Sequence, residues 1–169
     1  MEKLEKTKPV IRTFEKEDIP EIAGAFEKLG WNKPASQYEQ YLREQLYKVR
    51  DVYIALLDEQ FAGYLTVCWQ STYEPFREKE IPEITDFNVL PHYRRMGIGT
   101  QLMAAAMHHG RGCLRGMFAA SADPGAVRRY RLAGFDLHPQ MLLTGVVDRS
   151  ALPVVERVRE GTAADVELM

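Results

Sequence analysis

A glycine loop between a strand and a helix is the feature that most constrains this chain. Residues 84–90 have the composition of a strand, residues 94–100 (RRMGIGT) form the loop, and residues 98–109 read as a helix that stops at Gly110. A further strand is predicted at residues 114–120. Consecutive strands that are joined through a helix run parallel, so the sequence predicts one parallel crossover.

The rest of the chain predicts further strands and helices around this crossover. The predicted strands cover residues 9–14, 51–57, 61–69, 135–138 and 141–147, and the predicted helices cover 15–29, 36–50 and 123–133. The order β-α-α-β-β-β-α-β-α-β-β predicts an α/β fold, with a mixed, mostly antiparallel sheet of six to seven strands and about four helices on its two faces. Residues 70–82 fit either a lid over a site or an ordinary surface loop.

Composition excludes several functional classes. The 169 residues are 46% hydrophobic and 27% charged with a net charge of -2, so neither nucleic acid nor an anionic membrane is expected as a partner. No apolar stretch approaches the ~18 residues of a membrane span, and the first residues lack a signal-peptide core, which predicts a cytoplasmic protein. No metal is expected, because His108 and His109 point about 100° apart on a helix and Cys68 and Cys113 belong to no metal-spaced cluster.

The glycine loop has the chemistry of an anion site. The first N–H groups of a helix lack partners within the helix, and the helix dipole adds positive potential. Gly97 and Gly99 let the backbone approach an anion, while Thr100 can add a hydroxyl and Arg94 or Arg95 a charge. The loop is neither the dinucleotide GxGxxG nor a Walker loop, since it has no third glycine and no GK[ST]. The sequence therefore predicts a phosphate ligand of another kind.

Two motifs in this chain resemble those of the GNAT superfamily of N-acyltransferases. Val89-Leu90-Pro91 followed by Arg94-x-x-Gly97-x-Gly99 is similar to the superfamily's acetyl-CoA-binding motif. Residues 130–135, Tyr-Arg-Leu-Ala-Gly-Phe, resemble its later helix-to-strand motif of Tyr, three residues, Gly and Phe. The element order resembles that fold as well, so residues 8–147 are predicted to form one acyltransferase domain.

The resemblance implies transfer of an acetyl group from acetyl-CoA to a primary amine of a small molecule or peptide, through a ternary complex. It also implies that the loop binds the pyrophosphate and that backbone N–H groups near Val89 hold the thioester carbonyl. The residues that it assigns to the cofactor are Phe87, Val89, Arg94, Arg95, Met96, Gly97, Ile98, Gly99, Thr100 and Asp123. The family often has asparagine in place of Asp123, and because aspartate cannot donate a hydrogen bond, this contact is in question while the capping role is not.

The resemblance also implies which side chains move protons. Tyr130 is placed to protonate the leaving sulfur, against the alternative of a core tyrosine. Glu83 is the predicted general base, with Asp86 as its competitor and water as a third route. Side chains alternate along a strand, so Glu83 and Asp86 should face opposite ways unless a bulge intervenes. The residues in the segments that line the acceptor side in the family are Trp31, Tyr73, Phe76 and Arg77.

The C-terminal part differs from the rest in composition. Residues 1–100 contain all eight lysines and six arginines, whereas residues 101–169 contain eight arginines and no lysine. Within residues 148–169, Val158-Arg159 and Asp165-Val166 repeat the spacing of Ile11-Arg12 and Asp18-Ile19. This segment resembles the beginning of a second, truncated domain of the superfamily, against the alternative of an unrelated amphipathic tail. Together these features predict a chimera of two family members, joined within residues 100–103. A recombined chain suggests an alternative function, coenzyme A binding without turnover, and apolar C-terminal strands with a free edge suggest a homodimer.

Overall fold

Four consecutive strands form an antiparallel meander, and a fifth strand pairs with the last of them in parallel. The computed structural model describes residues 8–109, 118, 119, 121 and 123–137. The strands are β1 Val10–Thr13, β2 Arg50–Leu57, β3 Gln60–Cys68, β4 Glu83–Val89 and β5 Phe118–Ala119, and their order in the sheet follows the sequence. The predicted parallel crossover, from the fourth strand to the fifth, is confirmed.

The predicted number of six to seven strands is not confirmed in the described part of the chain. The strand predicted at residues 141–147 lies outside the described residues, as do most of residues 114–120. The strand predicted at residues 135–138 is wrong in its described part, since residues 135–137 belong to no strand. Gly134 turns the chain with φ at +95°, and the Phe135 N–H donates to the Tyr130 carbonyl at 3.0 Å, which ties this segment to the end of a helix.

Five α-helices lie in the described ranges: α1 Ile19–Lys28, α2 Ala35–Leu46, α3 Glu74–Glu78, α4 Ile98–His109 and α5 Pro124–Leu132. The short α3, inside the predicted loop 70–82, was not predicted. The predicted end of α2 is wrong, since the helix stops at Leu46 rather than Arg50. It ends there because Lys48 has φ at +58° and the Val49 N–H donates back to the Glu44 carbonyl at 3.0 Å. No helix among the described residues combines the length and apolar character that crossing a membrane requires.

The helices cover both faces of the sheet, as predicted. Alternate residues of the strands point to opposite faces, so each face has its own core. On one face, Ile98 and Leu102 of α4 pack on Leu65, Val67 and Ile84 of the sheet. On the other face, Phe26 of α1 and Tyr38 of α2 pack on Ile54, Phe61 and Tyr64. The first face is aliphatic and the second is rich in aromatic rings.

The close approach of β3 to β4 depends on Gly63. A Cβ atom at this position would lie 2.5 Å from the Asn88 carbonyl oxygen and 3.0 Å from the Val89 Cα atom. Both are backbone atoms of β4, which cannot move aside as a side chain can. The absence of a side chain at Gly63 therefore permits the observed position of β4.

We expect Gly63→Ala to lower the free energy of unfolding by about 1–3 kcal/mol, the usual cost of overpacking. Gly24→Ala is the matched control, because Gly24 lies inside α1 with no atom within 4 Å of its added Cβ, and it should gain about 0.5–1 kcal/mol. Urea unfolding of both variants measures the difference. A Gly63→Ala protein as stable as the wild type would contradict this account of β4.

Candidate active site

Strand β4 has one edge that is only partly paired. It is bonded to β3 up to Val89, whereas its pairing with the described part of β5 involves Glu83 and Ile84 alone. The Leu90 N–H donates to the Ala62 carbonyl in the β3 direction, at 2.9 Å. Since successive N–H groups of a strand point to opposite edges, those of Phe87 and Val89 point away from β3. Two backbone donors therefore face the edge that β5 leaves uncovered within the described ranges.

The loop after β4 ends in an exposed helix terminus. Arg95 and Gly97 have φ at +67° and +82°, so the backbone is left-handed at two positions just before α4 begins. The first helical bond of α4 runs from the Gln101 N–H to the Gly97 carbonyl, at 3.1 Å. The preceding N–H groups of the helix therefore have no partner within it. They lie where the helix dipole favours an anion.

Arg94 is used differently from Arg95. The Arg94 side chain turns back, and its Nε donates to the Val89 carbonyl oxygen at 3.1 Å, which ties the loop to the end of β4. Arg95 and Met96 are exposed, as is Thr100. The sequence offered Arg94 or Arg95 as the charged group of the site. The geometry leaves the Arg95 side chain free to turn toward an anion and gives Arg94 a structural bond.

Gly99 has a packing role that the sequence did not indicate. A Cβ atom on Gly99 would lie 3.2 Å from the Phe87 Cζ atom and 3.7 Å from the Val89 Cγ2 atom. The first turn of α4 therefore lies directly against the face of β4. Gly99 allows this contact between helix and strand, whereas Gly97, with positive φ, allows the turn before the helix.

Tyr130 lies beside the same stretch of β4. Its ring centroid is 6.3 Å from that of Phe87 and 5.5 Å from that of Phe135. Burial raises the pKa of Tyr130, so its hydroxyl stays protonated through the neutral range. The helix that carries it begins with Asp123, whose carboxylate accepts from the N–H groups of Gly125 and Ala126 at 3.0 and 3.2 Å. The predicted cap is confirmed, and it positions α5.

A bulge in β4 changes the relation between Glu83 and Asp86. Asp86 lies opposite Thr66 and Ile84 opposite Val67, so Thr85 is an extra residue with no partner on β3. Glu83 lies opposite Cys68. Because Thr66 and Cys68 point to the same face, Glu83 and Asp86 do so as well. The expectation from simple alternation, that they face opposite ways, is wrong for this strand.

The two carboxylates have different surroundings. Glu83 accepts a hydrogen bond from the buried Ser71 hydroxyl at 3.0 Å. Asp86 accepts several bonds, and the sequence predicted none of them. The Asp86 donors are Lys33 Nζ, at 2.9 Å from each carboxylate oxygen, Asn88 Nδ2 at 2.6 Å, Gln37 Nε2 at 3.1 Å and the hydroxyls of Tyr41, at 3.2 Å, and Tyr64. A charge within an apolar strand was a sign that partners exist, because a buried charge is stable only when paired.

Three tyrosines surround Asp86 on the aromatic face. Burial raises the pKa of Tyr64 and Tyr38 above the ordinary range, and the negative charge of Asp86 acts in the same direction. The same two causes raise the pKa of Tyr41 to about 12. All three phenols stay neutral at physiological pH, and those of Tyr41 and Tyr64 donate to the carboxylate.

The residues predicted on the acceptor side lie in two places. Trp31 stacks on Phe26 with ring centroids 5.4 Å apart, beside the aromatic core, and Tyr73 meets Phe76 edge to face at 4.8 Å in and next to α3. Arg77 pairs with Glu74 at 3.4 Å.

A surface hollow of about 580 Å³ lies elsewhere, between α1 and the turn at Pro91–Tyr93. Among the described residues no cluster of metal-binding side chains occurs.

Comparison with known proteins identifies the class to which this fold and site belong. The model of the acetyltransferase (GNAT) family matches residues 17–135. The chain belongs to the GNAT acetyltransferase family. A search of curated protein sequences found no match.

Solved structures share the fold at low sequence identity. An acetyltransferase of Trypanosoma brucei superposes with a TM-score of 0.62 at 16% identity, covering 82% of this chain and 100% of its own. The aminoglycoside N-acetyltransferase AAC(6')-Iy in complex with CoA gives 0.64 at 19%, covering 82% and 99%. A ribosomal-protein-alanine N-acetyltransferase of Brucella melitensis gives 0.62 at 20%, covering 75% and 84%. These similarities show the fold.

We expect Gly97→Ala to weaken coenzyme A binding about tenfold or more, because a Cβ disfavours the left-handed backbone by about 1–2 kcal/mol and would rotate the peptide groups of the loop. Gly30→Ala is the matched control: Gly30 also has positive φ, +69°, and no atom within 4 Å of its added Cβ, but it lies after α1. Both variants should lose similar stability. Calorimetric titration with coenzyme A should separate them, and equal affinities would count against the loop as the binding site.

The tyrosine cluster predicts a loss of stability in alkali. Above pH about 10, the ordinary tyrosine pKa, the unfolded chain releases phenolic protons that the folded chain keeps, so stability falls as pH rises. For Tyr41 the decline should continue to about pH 12. Urea unfolding between pH 9 and about 11 should show a shallower decline in Tyr41→Phe than in the wild type. Identical slopes would show that Tyr41 titrates normally.

Proposed function

We propose that this protein is an N-acetyltransferase that transfers an acetyl group from acetyl-CoA to a primary amine. The proposal depends on one observation: backbone N–H donors at the edge of β4 are followed directly by the N–H donors at the start of α4. The N–H groups of Phe87 and Val89 face the edge of β4 that the described part of β5 does not cover, and this strand leads into the N-terminus of α4. A single ligand with an anionic end and an extended amide arm, such as acetyl-CoA, can use both.

The cofactor would bind in two parts. Its pyrophosphate would accept from the first N–H groups of α4, with Arg95 and Thr100 within reach of the same end of the helix. Its arm would run along β4, so that the thioester carbonyl accepts from the N–H of Phe87 or Val89. These donors are fixed by the strand before the reaction, which is the property that stabilises a developing oxyanion.

The reaction then needs two proton transfers. The neutral amine nitrogen attacks the thioester carbon, a C–N bond forms, and the tetrahedral intermediate collapses with loss of the thiolate of coenzyme A. Glu83 would accept the proton that the amine loses, directly or through water, and Tyr130 would donate the proton that the sulfur gains. The raised pKa of Tyr130 fits a donor, since the phenol remains protonated until the thiolate leaves.

The acceptor is proposed to be a primary amine of a small molecule or peptide. The names of two structural neighbours include one acceptor of each kind, an aminoglycoside and a protein alanine. The polar side chains around Asp86 lie on the aromatic face of β4, under α1 and α2. An amine that approached from this face would meet Glu83 and Asp86 on one side of the strand.

One observation favours a second candidate function, coenzyme A binding without turnover. The carboxylate of Asp86 is occupied by five donor groups, and Glu83 is held by Ser71. Asp86 is therefore not an open proton acceptor in this arrangement, and one of the two Glu83 carboxylate oxygens is already hydrogen-bonded. A non-catalytic protein would bind acetyl-CoA and release no coenzyme A with any amine.

We expect Tyr130→Phe to lower kcat by about a hundredfold, within the usual contribution of a general acid, with little change in acetyl-CoA affinity because the ring is retained. The assay follows coenzyme A release by chromatography with a panel of polyamines, aminoglycosides, amino acids and peptides, because Cys68 and Cys113 would react with a thiol reagent. Compared with the wild type, Glu83→Gln should lose activity mainly at low pH, because there most of the amine still carries the proton that a base has to remove.

Tyr47→Phe serves as the control, since Tyr47 is an exposed tyrosine at the end of α2 with no proposed role in the site. Full activity in Tyr130→Phe would remove the proposed acid. Binding of acetyl-CoA by the wild type without release across the whole panel would favour the second candidate.

A further inference from the structure

The ammonium group of Lys33 lies in a site built to bind an ammonium. Its Nζ atom is 2.9 Å from both carboxylate oxygens of Asp86 and 3.0 Å from the Tyr64 hydroxyl oxygen. It also lies 5.7 Å and 5.6 Å from the ring centroids of Phe26 and Tyr64. Oxygen acceptors together with aromatic faces are the environment that a primary ammonium prefers.

This site adjoins the strand segment of the proposed reaction. Asp86 belongs to β4, and its neighbour Phe87 presents one of the N–H groups proposed to hold the thioester carbonyl. The bulge at Thr85 turns Asp86 and Glu83 to one face. The ammonium site is therefore next to the strand segment at which an acceptor amine has to arrive.

Lys33 is attached to the site by a side chain alone. It lies in the turn between α1 and α2, and its side chain is 19% exposed, against 16% for Asp86. The stem of four carbons can swing out to solvent while the backbone stays in place. Without Lys33, Asp86 would keep a largely buried negative charge with no cation among its described hydrogen-bond partners, since Arg50 bonds to Thr66 and Thr85 instead, and this favours the capture of another cation.

A further polar group is available there. The Tyr38 side chain is buried, and its hydroxyl makes no well-formed hydrogen bond to the described residues, although the Tyr64 hydroxyl lies close enough to shift its pKa. Its ring lies 5.8 Å from that of Tyr64 and 6.1 Å from that of Tyr41. An unsatisfied buried hydroxyl is uncommon because it costs free energy, and a bound ligand would give it a partner.

We propose that Lys33 is an internal occupant of an ammonium-binding site for the acceptor, and that a primary alkylammonium group displaces it from Asp86. The proposal rests on the function proposed above and adds the mode of acceptor recognition. Occupancy by Lys33 keeps the carboxylate neutralised between turnovers. It also makes single ammonium groups weak ligands of the wild type, because they compete with a group already held in place.

The test removes the occupant and supplies it from solution. Lys33→Ala keeps Cβ and lacks three methylene groups and the ammonium, which are the atoms of n-propylammonium. We expect propylammonium chloride to raise the melting temperature of Lys33→Ala relative to sodium chloride at equal ionic strength. Its half-saturating concentration should be about tenfold lower or more than for the wild type, the ratio that a modest ion-pair advantage gives.

Three controls make the result specific. 1-Propanol has the same shape without the charge and should give no such shift. Lys28→Ala removes an exposed lysine of α1 and should behave as the wild type does. Lys33→Ala with Asp86→Asn should lose the response. Equal shifts in the wild type and Lys33→Ala, or a shift that survives Asp86→Asn, would overturn the proposal.

A second variant covers the case in which Lys33→Ala does not fold. Lys33→Met retains an unbranched stem that ends one atom short, so it leaves room for the ammonium ion itself. Ammonium chloride should then stabilise Lys33→Met more than sodium chloride does, and should not do so for the wild type. Equal stabilisation by the two salts would overturn the proposal.

Catalysis is measured separately from binding. With acetyl-CoA present, Lys33→Ala should acetylate n-propylamine with a lower KM than the wild type, read as coenzyme A release. If propylammonium binds but no coenzyme A is released with any amine, the result supports the ammonium site and counts against the acetyltransferase function. Release with other amines but no propylammonium binding would retain the function and overturn the ammonium site.

Discussion

The partial pairing of β4 is the constraint on which the rest of the site depends. One edge of the strand is bonded to β3 along its length, whereas the described part of β5 covers the other edge only at Glu83 and Ile84. The backbone donors on this edge can bind a ligand only if the strand keeps its position. Two neighbouring glycines permit the close packing that surrounds it. Gly63 lets β3 approach, and Gly99 lets α4 pack on Phe87. Backbone position, more than side-chain chemistry, defines this site.

The parts of the fold that the sequence predicted are those with local causes. The bounds of α4 follow from a glycine loop before it and apolar periodicity within it, and α5 begins at Asp123 because a carboxylate there caps the first N–H groups. The bulge at Thr85 depends on how β3 and β4 pair, which no local pattern records. The early end of α2 likewise reflects where β2 must begin. The predicted join at residues 100–103 lies inside α4, and the predicted second domain lies outside the described residues.

The surroundings of Asp86 show a second limit of sequence reasoning. The sequence marked Asp86 as a possible base, but Lys33 is 53 positions away and Gln37 is 49 positions away. Only the packing of α2 against the sheet brings them together. A carboxylate so well satisfied fits a binding group better than a proton acceptor. Its role in stability and its proposed role in acceptor recognition have the same origin, since both come from the need to pair a largely buried charge.

The central claim is that acetyl-CoA lies along β4 with its pyrophosphate at α4. Titration of the ¹⁵N-labelled protein with coenzyme A, followed by amide chemical shifts in NMR spectra, tests it most directly. The account predicts the largest changes at the amides of Gly97, Ile98, Gly99 and Thr100, with those of Phe87 and Val89 next. Changes confined to the hollow between α1 and the Pro91–Tyr93 turn, with the α4 amides unaffected, would contradict it.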